Sequence, residues 1–302
     1  MPERPILITG GGGQLASALA EAVGDRRFVR VGRPGFDFDQ PRETMALVRE
    51  IAPALIVNAA AYTAVDRAET DADAARRANH EGPAALAEYC AATRIPLIHV
   101  STDYVFDGMK GAPYVETDAT NPTSVYGATK LAGEQAVLEA CPRATVLRTS
   151  WVYAARGKNF VLTMLKLAET RDVLRVVADQ LGCPTAAADL AGAILAIADR
   201  IESGGWNDDF RGVFHAAGTG FVSWHGLACA AFERATRHGL RPPRVEAITT
   251  SEYPTPARRP PDSRLDCGKL ERVFGLKLSP WQNSLARTVD QVFRLQHAVG
   301  PS

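Results

Sequence analysis

Five short apolar runs punctuate the first half of the chain, at residues 5–9, 28–31, 54–58, 96–101 and 144–149. Each has the length of a strand, and between them lie longer stretches with helical spacing at 14–23, 42–52, 72–93 and 123–140. Several of these open on polar residues or proline, the usual start of a helix. Strand and helix in alternation predict βαβ units, hence a parallel sheet covered on both faces: an α/β, doubly wound fold. Past residue 155 the pattern loosens. A helix over 160–168, another over 187–201 and a strand over 213–216 are still expected, the last two returning to the first sheet. The proline-rich stretch 253–261 reads as an ordered loop on the substrate side, with a solvated linker as the alternative. There is no internal repeat.

A length of 302 residues allows a large core, or two domains sharing one cleft. Lys plus Arg and Asp plus Glu number 34 each, which gives no electrostatic footprint for nucleic acid or an anionic membrane surface. A small-molecule partner is expected. Cys90, Cys141, Cys183, Cys229 and Cys267 are scattered and never form Cys-x-x-Cys, so neither a disulfide framework nor a zinc site is indicated. The N-terminus passes from Met1 to Arg4 straight into a short apolar run without a signal-peptide core, and no stretch approaches the ~20 apolar residues of a membrane span. A cytoplasmic protein with reduced thiols fits these observations.

Chemistry enters with Tyr126-Gly-Ala-Thr-Lys130. On a helix, Tyr126 and Lys130 lie one turn apart on the same face, so the ammonium can sit near the phenol. A free phenol titrates at about 10, and a neighbouring cation lowers that value, making a proton donor with a tuner. Alone the spacing is weak, since two surface residues produce it by chance. Its context is a glycine loop, Thr9-Gly10-Gly11-Gly12-Gly13-Gln14-Leu15-Ala16, between the first strand and first helix. There glycines let a turn close and let backbone amides approach a pyrophosphate at the helix N-terminus. Ala16 replaces the usual third glycine. The second strand ends near Arg33, where an acidic residue would hold the adenosine ribose of NAD; a cation there suits the 2′-phosphate of NADP. NADPH is therefore the expected cofactor, with NADH the alternative, and an exposed unliganded arginine would look the same in sequence. Asp37 and Phe38 are placed to meet the adenine by hydrogen bond and stacking. Small residues over 58–61 suit a backbone passing close to the cofactor.

Together with Ser101-Thr102-Asp103-Tyr104-Val105-Phe106-Asp107-Gly108, these motifs make the chain resemble the extended short-chain dehydrogenase/reductases and, more narrowly, the dTDP-4-dehydrorhamnose reductase family. Further matching segments are NAAAYTAVDRAE (58–69), RTSWVY (148–153), GKNF (157–160), DQLGCPT (179–185) and EYPTPARRP (252–260). The resemblance thus covers nearly the whole chain. It implies a Rossmann domain, 1–155 plus about 187–220, and a smaller α/β substrate domain, about 156–186 plus 221–302. It also implies NAD(P)H-dependent reduction of the C4 ketone of a dTDP-linked sugar. Tyr126 would then be the proton donor, Lys130 its tuner and a ligand of the nicotinamide ribose, and Thr102 the completing hydroxyl. Gly13, Gln14 and Leu15 would meet the cofactor phosphates, and Ala61, Tyr62 and Thr63 its ribose. Thr102, Asp103 and Trp151 would lie against the sugar nucleotide, although an indole following a buried strand often belongs to the core. Arg258 and Arg259 could grip the nucleotide pyrophosphate bidentately.

Some relatives form dimers bridged by Mg²⁺ through carboxylates, one of them in the first turns of the helix after the glycine loop. Here that stretch reads Ser17-Ala18-Leu19, so a metal is not expected, while a homodimer stays compatible. A 4,6-dehydratase would carry Asp-Glu after the Thr, and Asp103-Tyr104 lacks that base. A C4 epimerase is harder to separate, needing little beyond Tyr and Lys. A non-catalytic role, like that of the methionine adenosyltransferase regulatory subunit, would not require the intact Thr102, Tyr126 and Lys130.

Overall fold

The computed structural model describes residues 4–299. The start of the N-terminal reading above and the outermost residues of both expected domains, 1–3 and 300–302, lie outside them. In chain order the first half comprises β1 (Ile6–Ile8), α1 (Gln14–Ala22), β2 (Phe28–Arg30), α2 (Pro41–Ile51), β3 (Leu55–Asn58), α3 (Val65–Ala68) and α4 (Ala72–Arg76). A π-helical turn (Arg77–Glu81), α5 (Gly82–Thr93), β4 (Leu97–Thr102), α6 (Val125–Ala140) and β5 (Ala144–Thr149) follow. The second half adds β6 (Val152–Tyr153), α7 (Phe160–Ala168), β7 (Val173–Val177), β8 (Leu181–Gly182), β9 (Thr185–Ala186), α8 (Ala187–Gly204) and β10 (Gly212–His215). It closes with β11 (Val222–Ser223), α9 (Trp224–Thr236), β12 (Arg244–Ile248), α10 (Gly268–Phe274) and α11 (Trp281–Val299).

Six parallel strands form the central sheet in the order β10-β5-β4-β3-β1-β2. The α/β doubly wound expectation holds, and β10 does return to the first sheet. Because successive strand residues face opposite ways, Ile6 and Ile8 pack with Leu19, Leu190, Ile194 and Ile197 on one face, while Leu7 joins Ile56, Val48, Leu86 and Val137 on the other. Burial of each such side chain contributes roughly 1.5–3 kcal/mol, and flattening either face would unseat the loops above it. From β1 the chain leaves to β2 on one side and later to β3 on the other. The carboxyl ends of β1 and β3 therefore flank the crevice where doubly wound folds bind ligands.

A separate apolar cluster joins α7, α9, α11 and β7 through Val161, Leu165, Leu174, Leu227, Phe232, Leu285 and Val289. Around it run the short pairs β7 with β12, β8 with β11, and β6 with β9. Among the described residues no helix is long and apolar enough to cross a membrane.

One expected helix, over 72–93, is instead broken by the π-helical turn. Pro83 has no N–H to return to the carbonyl of Asn79, four residues earlier, so the α-helical ladder loses a rung there. The Asn79 side chain then exchanges hydrogen bonds with the backbone of Tyr62, accepting from its N–H at 2.8 Å and donating to its carbonyl at 3.2 Å. Gly133 of α6 lies so close that a Cβ on it would come within 2.0 Å of the Asn79 carbonyl oxygen. The irregular turn thus packs α6 against the segment that follows β3.

Candidate active site

The glycine loop closes over the carboxyl ends of β1 and β3. Gly10 has φ +87°, and a Cβ on it would come within 2.7 Å of the Ala59 carbonyl oxygen. Gly11 and Gly32 abut so closely that a Cβ on either would come within 2.7 Å of the other's backbone. Only glycine meets both demands. Thr9 ties the layer together, its hydroxyl donating to Asn58 Oδ1 at 2.6 Å and accepting from the Ala60 N–H at 3.2 Å. Gly13 N-caps α1 with no side-chain cap, and no acidic residue occupies the first turn. That end of the helix, with Gln14 and Leu15 in its first turn, retains the amide and dipole character that suits an anion. The Gln14 side chain reaches across to the 157–160 segment, where Asn159 Nδ2 donates to it at 2.8 Å while Asn159 Oδ1 caps α7.

A cleft of about 410 Å³ extends from Gly10 and Gly12 past Arg33 and Asp37 to Ala61 and Tyr62. Thr63, just beyond, is exposed. Arg33 stands at its mouth but is not free: its guanidinium meets Asp37 at 2.9 Å and Asp39 at 3.1 Å. Arg77 shares Asp39 at 2.5 Å. Two cations and two carboxylates therefore balance locally, and the isolated arginine of the sequence reading gives way to a four-membered network. Phe38 borders the cleft with most of its ring buried against Phe36 and under Gly82, where a Cβ would overlap the ring at 2.2 Å. Its broad face is thus occupied by protein, unlike the open stacking surface expected for adenine.

Thr102 ends β4, Tyr126 lies in the first turn of α6 and Lys130 follows one turn later. Ser124 fixes the start of α6 by accepting the Gly127 N–H at 3.1 Å. Gly127 is forced by the neighbouring loop, since a Cβ there would come within 2.2 Å of the Tyr104 carbonyl oxygen. Thr102 and Tyr126 are neighbours. Burial of the phenol pushes its pKa up to about 12, the Thr102 hydrogen bond opposing and the charge of Asp103 assisting. Lys130 is 2% exposed and donates from Nζ to the Val100 carbonyl at 2.7 Å. Its pKa falls to about 8 through burial, with the Glu134 carboxylate opposing. The expectation that the lysine lowers the tyrosine's pKa is therefore corrected: burial dominates and the phenol is raised. Glu134 is itself locked by Arg148 of β5, with Nη2 to Oε2 at 2.7 Å.

Asp103 was expected to face the sugar nucleotide. It is 1% exposed, and hydroxyls surround it: Thr102 donates to Oδ1 at 3.1 Å, Ser150 to Oδ2 at 3.0 Å, and Ser263 also hydrogen-bonds to it. Burial raises its pKa to about 6 against these hydrogen bonds. Trp151, at φ +48°, stacks on Trp224 with centroids 3.4 Å apart and planes within 6°. Its other neighbour is Gly182, where a Cβ would come within 2.3 Å of the indole. The indole is thus part of a packed aromatic wall. Ser150, Ser263, Trp224 and Glu134 escaped the sequence reading; only Ser150, in RTSWVY, lay in a segment already singled out. Of the two arginines in the proline-rich loop, Arg259 pairs with Asp66 at 2.8 Å while Arg258 is exposed. Among the described residues no group of three or more His, Cys, Asp or Glu side chains could hold a metal ion.

Residues 4–294 match the family described as the RmlD substrate binding domain. The chain is 50% identical over 285 residues to a dTDP-4-dehydrorhamnose reductase of Sinorhizobium fredii, spanning 94% of this chain and 96% of that protein. The crystal structure of a dTDP-4-dehydrorhamnose reductase from Clostridium acetobutylicum superimposes with a TM-score of 0.88 at 35% identity, over 95% of this chain and 99% of the other. One from Bacillus anthracis, in complex with NADP, gives 0.87 at 33% identity over 96% and 99%.

Proposed function

Because the chain belongs to the RmlD substrate binding domain family, in which the relatives named above are dTDP-4-dehydrorhamnose reductases, we propose that it reduces the C4 ketone of dTDP-4-dehydro-β-L-rhamnose to give dTDP-β-L-rhamnose. The observation that carries this reading within the molecule is the Thr102 hydroxyl beside the Tyr126 phenol, with buried Lys130 one turn along the same helix. A nicotinamide dinucleotide fits the residues present: a glycine cradle that a Cβ would fill leads to an uncapped helix N-terminus and a cleft toward Arg33. When bound, it supplies hydride.

The residues' own work is holding and proton transfer. Gly10, Gly13, Gln14 and Leu15 would hold the pyrophosphate, Ala61, Tyr62 and Thr63 would lie beside the cofactor's ribose, and Arg33 would meet the adenosine end beside Asp37 and Phe38. NADPH is favoured over NADH because Arg33 offers a cation where the 2′-phosphate would sit, although Asp37 and Asp39 soften that preference. Tyr126 gives its proton to the carbonyl oxygen as negative charge develops there, and Thr102 donates a hydrogen bond to the same oxygen. Lys130, still largely charged at pH 7, adds a positive field beneath them. Asp103 holds the Ser150 hydroxyl and, in the resting site, the Thr102 proton, which turns from Asp103 Oδ1 to the carbonyl oxygen when substrate binds, while Trp151 walls the sugar side.

The test is oxidation of NADPH followed at 340 nm with the 4-keto sugar nucleotide, with NADH in parallel and product identity checked by NMR. Tyr126→Phe should lower turnover by roughly 10²–10⁴-fold with NADPH affinity retained. Undiminished turnover in that variant would remove the proposed mechanism.

A further inference from the structure

The loop at 253–261 is anchored firmly near its ends. Before it, Thr249 and Glu252 form a capping box and Asp179 accepts the Thr250 N–H at 2.9 Å. Behind it, the Pro261 carbonyl accepts the Leu181 N–H at 2.8 Å, and Pro260 and Pro261 press on Gly108 so closely that a Cβ there would come within 2.8 Å of either. Between these anchors one carboxylate from the far side of the crevice holds the loop. Asp66 Oδ1 accepts the Ala257 N–H at 3.2 Å and Arg259 Nη1 at 3.0 Å, while Oδ2 accepts Arg259 Nη2 at 2.8 Å. Arg259 also donates to the Ala257 carbonyl at 3.0 Å, so guanidinium, carboxylate and loop backbone form one unit.

Asp66 lies three residues past Thr63, in the short α3. Three residues further, Glu69 accepts the Val125 N–H at 2.9 Å, the first amide of the helix that carries Tyr126. A single turn of chain therefore holds both the loop and the start of α6. On the other side Arg259 lies near Tyr104, whose ring packs edge-on against Tyr126 with centroids 5.5 Å apart.

We propose that Asp66 and Arg259 form a clasp that presets the 253–261 loop for the sugar nucleotide, both serving as positioning residues, and that Arg259 is not itself a ligand of the nucleotide pyrophosphate. Both terminal nitrogens of Arg259 and both oxygens of Asp66 are engaged in the clasp, which leaves Arg258 as the exposed cation of the pair. The inference rests on the reductase reading and deepens it. Without the clasp, the middle of the loop must be ordered when substrate binds, and the entropy of that ordering appears as weaker substrate binding. The clasp touches neither the glycine loop nor Lys130, so cofactor affinity and the chemical step change little.

The experiment compares Asp66→Ala, Arg259→Ala and the double variant. KM for dTDP-4-dehydro-β-L-rhamnose should rise roughly five- to twentyfold in each single variant, the modest range of a half-exposed but bidentate pair. Turnover should stay within about threefold and NADPH affinity within about twofold, and the double variant should be no worse than the worse single one, as for two halves of one interaction. A much larger loss in Arg259→Ala than in Asp66→Ala would mark Arg259 as a direct ligand and overturn the proposal, as would losses that multiply in the double variant. Hydrogen exchange over 253–261 in the cofactor-free protein gives a readout independent of turnover. Exchange should quicken in Asp66→Asn, and unchanged exchange would refute the clasp. If the wild type failed to reduce the sugar nucleotide, the reductase reading would fall while the exchange measurement still decided the clasp.

Discussion

Lys130 offers a test in which stability and activity move in opposite directions. It is 2% exposed, and its pKa drops from 10.5 to about 8, so folding disfavours its charge. At about 1.4 kcal/mol for each tenfold, that displacement makes the charged lysine a burden of about 3 kcal/mol in the cofactor-free protein. The sign follows from proton binding. Between pH 8 and 10.5 the unfolded chain holds the proton and the folded one does not, so stability rises with pH through that window, and the burden is full below it. Lys130→Met keeps the apolar stem, removes the charge and leaves the Val100 carbonyl without its donor, a loss of about 1 kcal/mol. The variant should therefore be about 2 kcal/mol more stable than wild type at pH 7, raising Tm by roughly 3 °C for a chain of this size. Above pH 10.5 the order should reverse by about 1 kcal/mol, because the wild-type lysine is then neutral and still hydrogen-bonded. Turnover should meanwhile fall by at least about a hundredfold. Urea denaturation of both proteins at several pH values decides the matter. A variant no more stable than wild type at pH 7, or a difference that ignores pH, refutes the argument.

Other perturbations probe separate parts of the site. Gly10→Ala places a methyl within 2.7 Å of a carbonyl oxygen at a φ of +87°, and should cost about 1–3 kcal/mol in urea denaturation while weakening NADPH binding by at least tenfold, read by fluorescence titration. Arg148→Met strands the buried Glu134 carboxylate and should destabilise the fold by about 3–5 kcal/mol, with most of the loss recovered in the double variant Arg148→Met/Glu134→Leu; equal instability of the two would show that the pair is not the cause. Arg33→Ala should lower the NADPH to NADH preference by about tenfold or less, since Asp37 and Asp39 already draw on its charge, and an unchanged ratio of kcat/KM would take the cofactor role from Arg33.

The central sheet was legible because strands buried on both faces leave continuous apolar runs, and its strands fall within a residue or two of those runs. The grouping of Thr102, Tyr126 and Lys130 was legible for a local reason as well: Tyr126 and Lys130 are one helical turn apart, and Thr102 ends a strand. What stayed hidden depends on distance along the chain. The clasp of Asp66 and Arg259 joins residues 193 positions apart, and the parallel pair β7 with β12 joins segments separated by four strands and the whole of α8 and α9. The two-residue strands β6, β8, β9 and β11 are too short to carry any period at all. The pairing of Arg33 stayed hidden for a different reason. Asp37 and Asp39 stand four and six residues away in plain view, but whether they fold back on it depends on the turn between β2 and α2.

The raised phenol of Tyr126 changes what its neighbours need to do. A tyrosine meant to take a proton at neutral pH needs its pKa lowered, and burial here works against that. A tyrosine meant to give one needs only to be neutral beforehand and to meet a stronger base, and the alkoxide forming at a reduced ketone is far more basic than a phenolate even at about 12. Burial therefore suits reduction and hinders the reverse oxidation. In that direction Lys130 need not act by ionising the phenol in the resting site. In the proposed reaction its charge would count as negative charge shifts from the carbonyl oxygen to Tyr126, where a low-dielectric setting strengthens its field. The same burial that brings Lys130 down to about 8 would make this field effective, so the instability assigned to the lysine and the role proposed for it in the reaction have one physical origin.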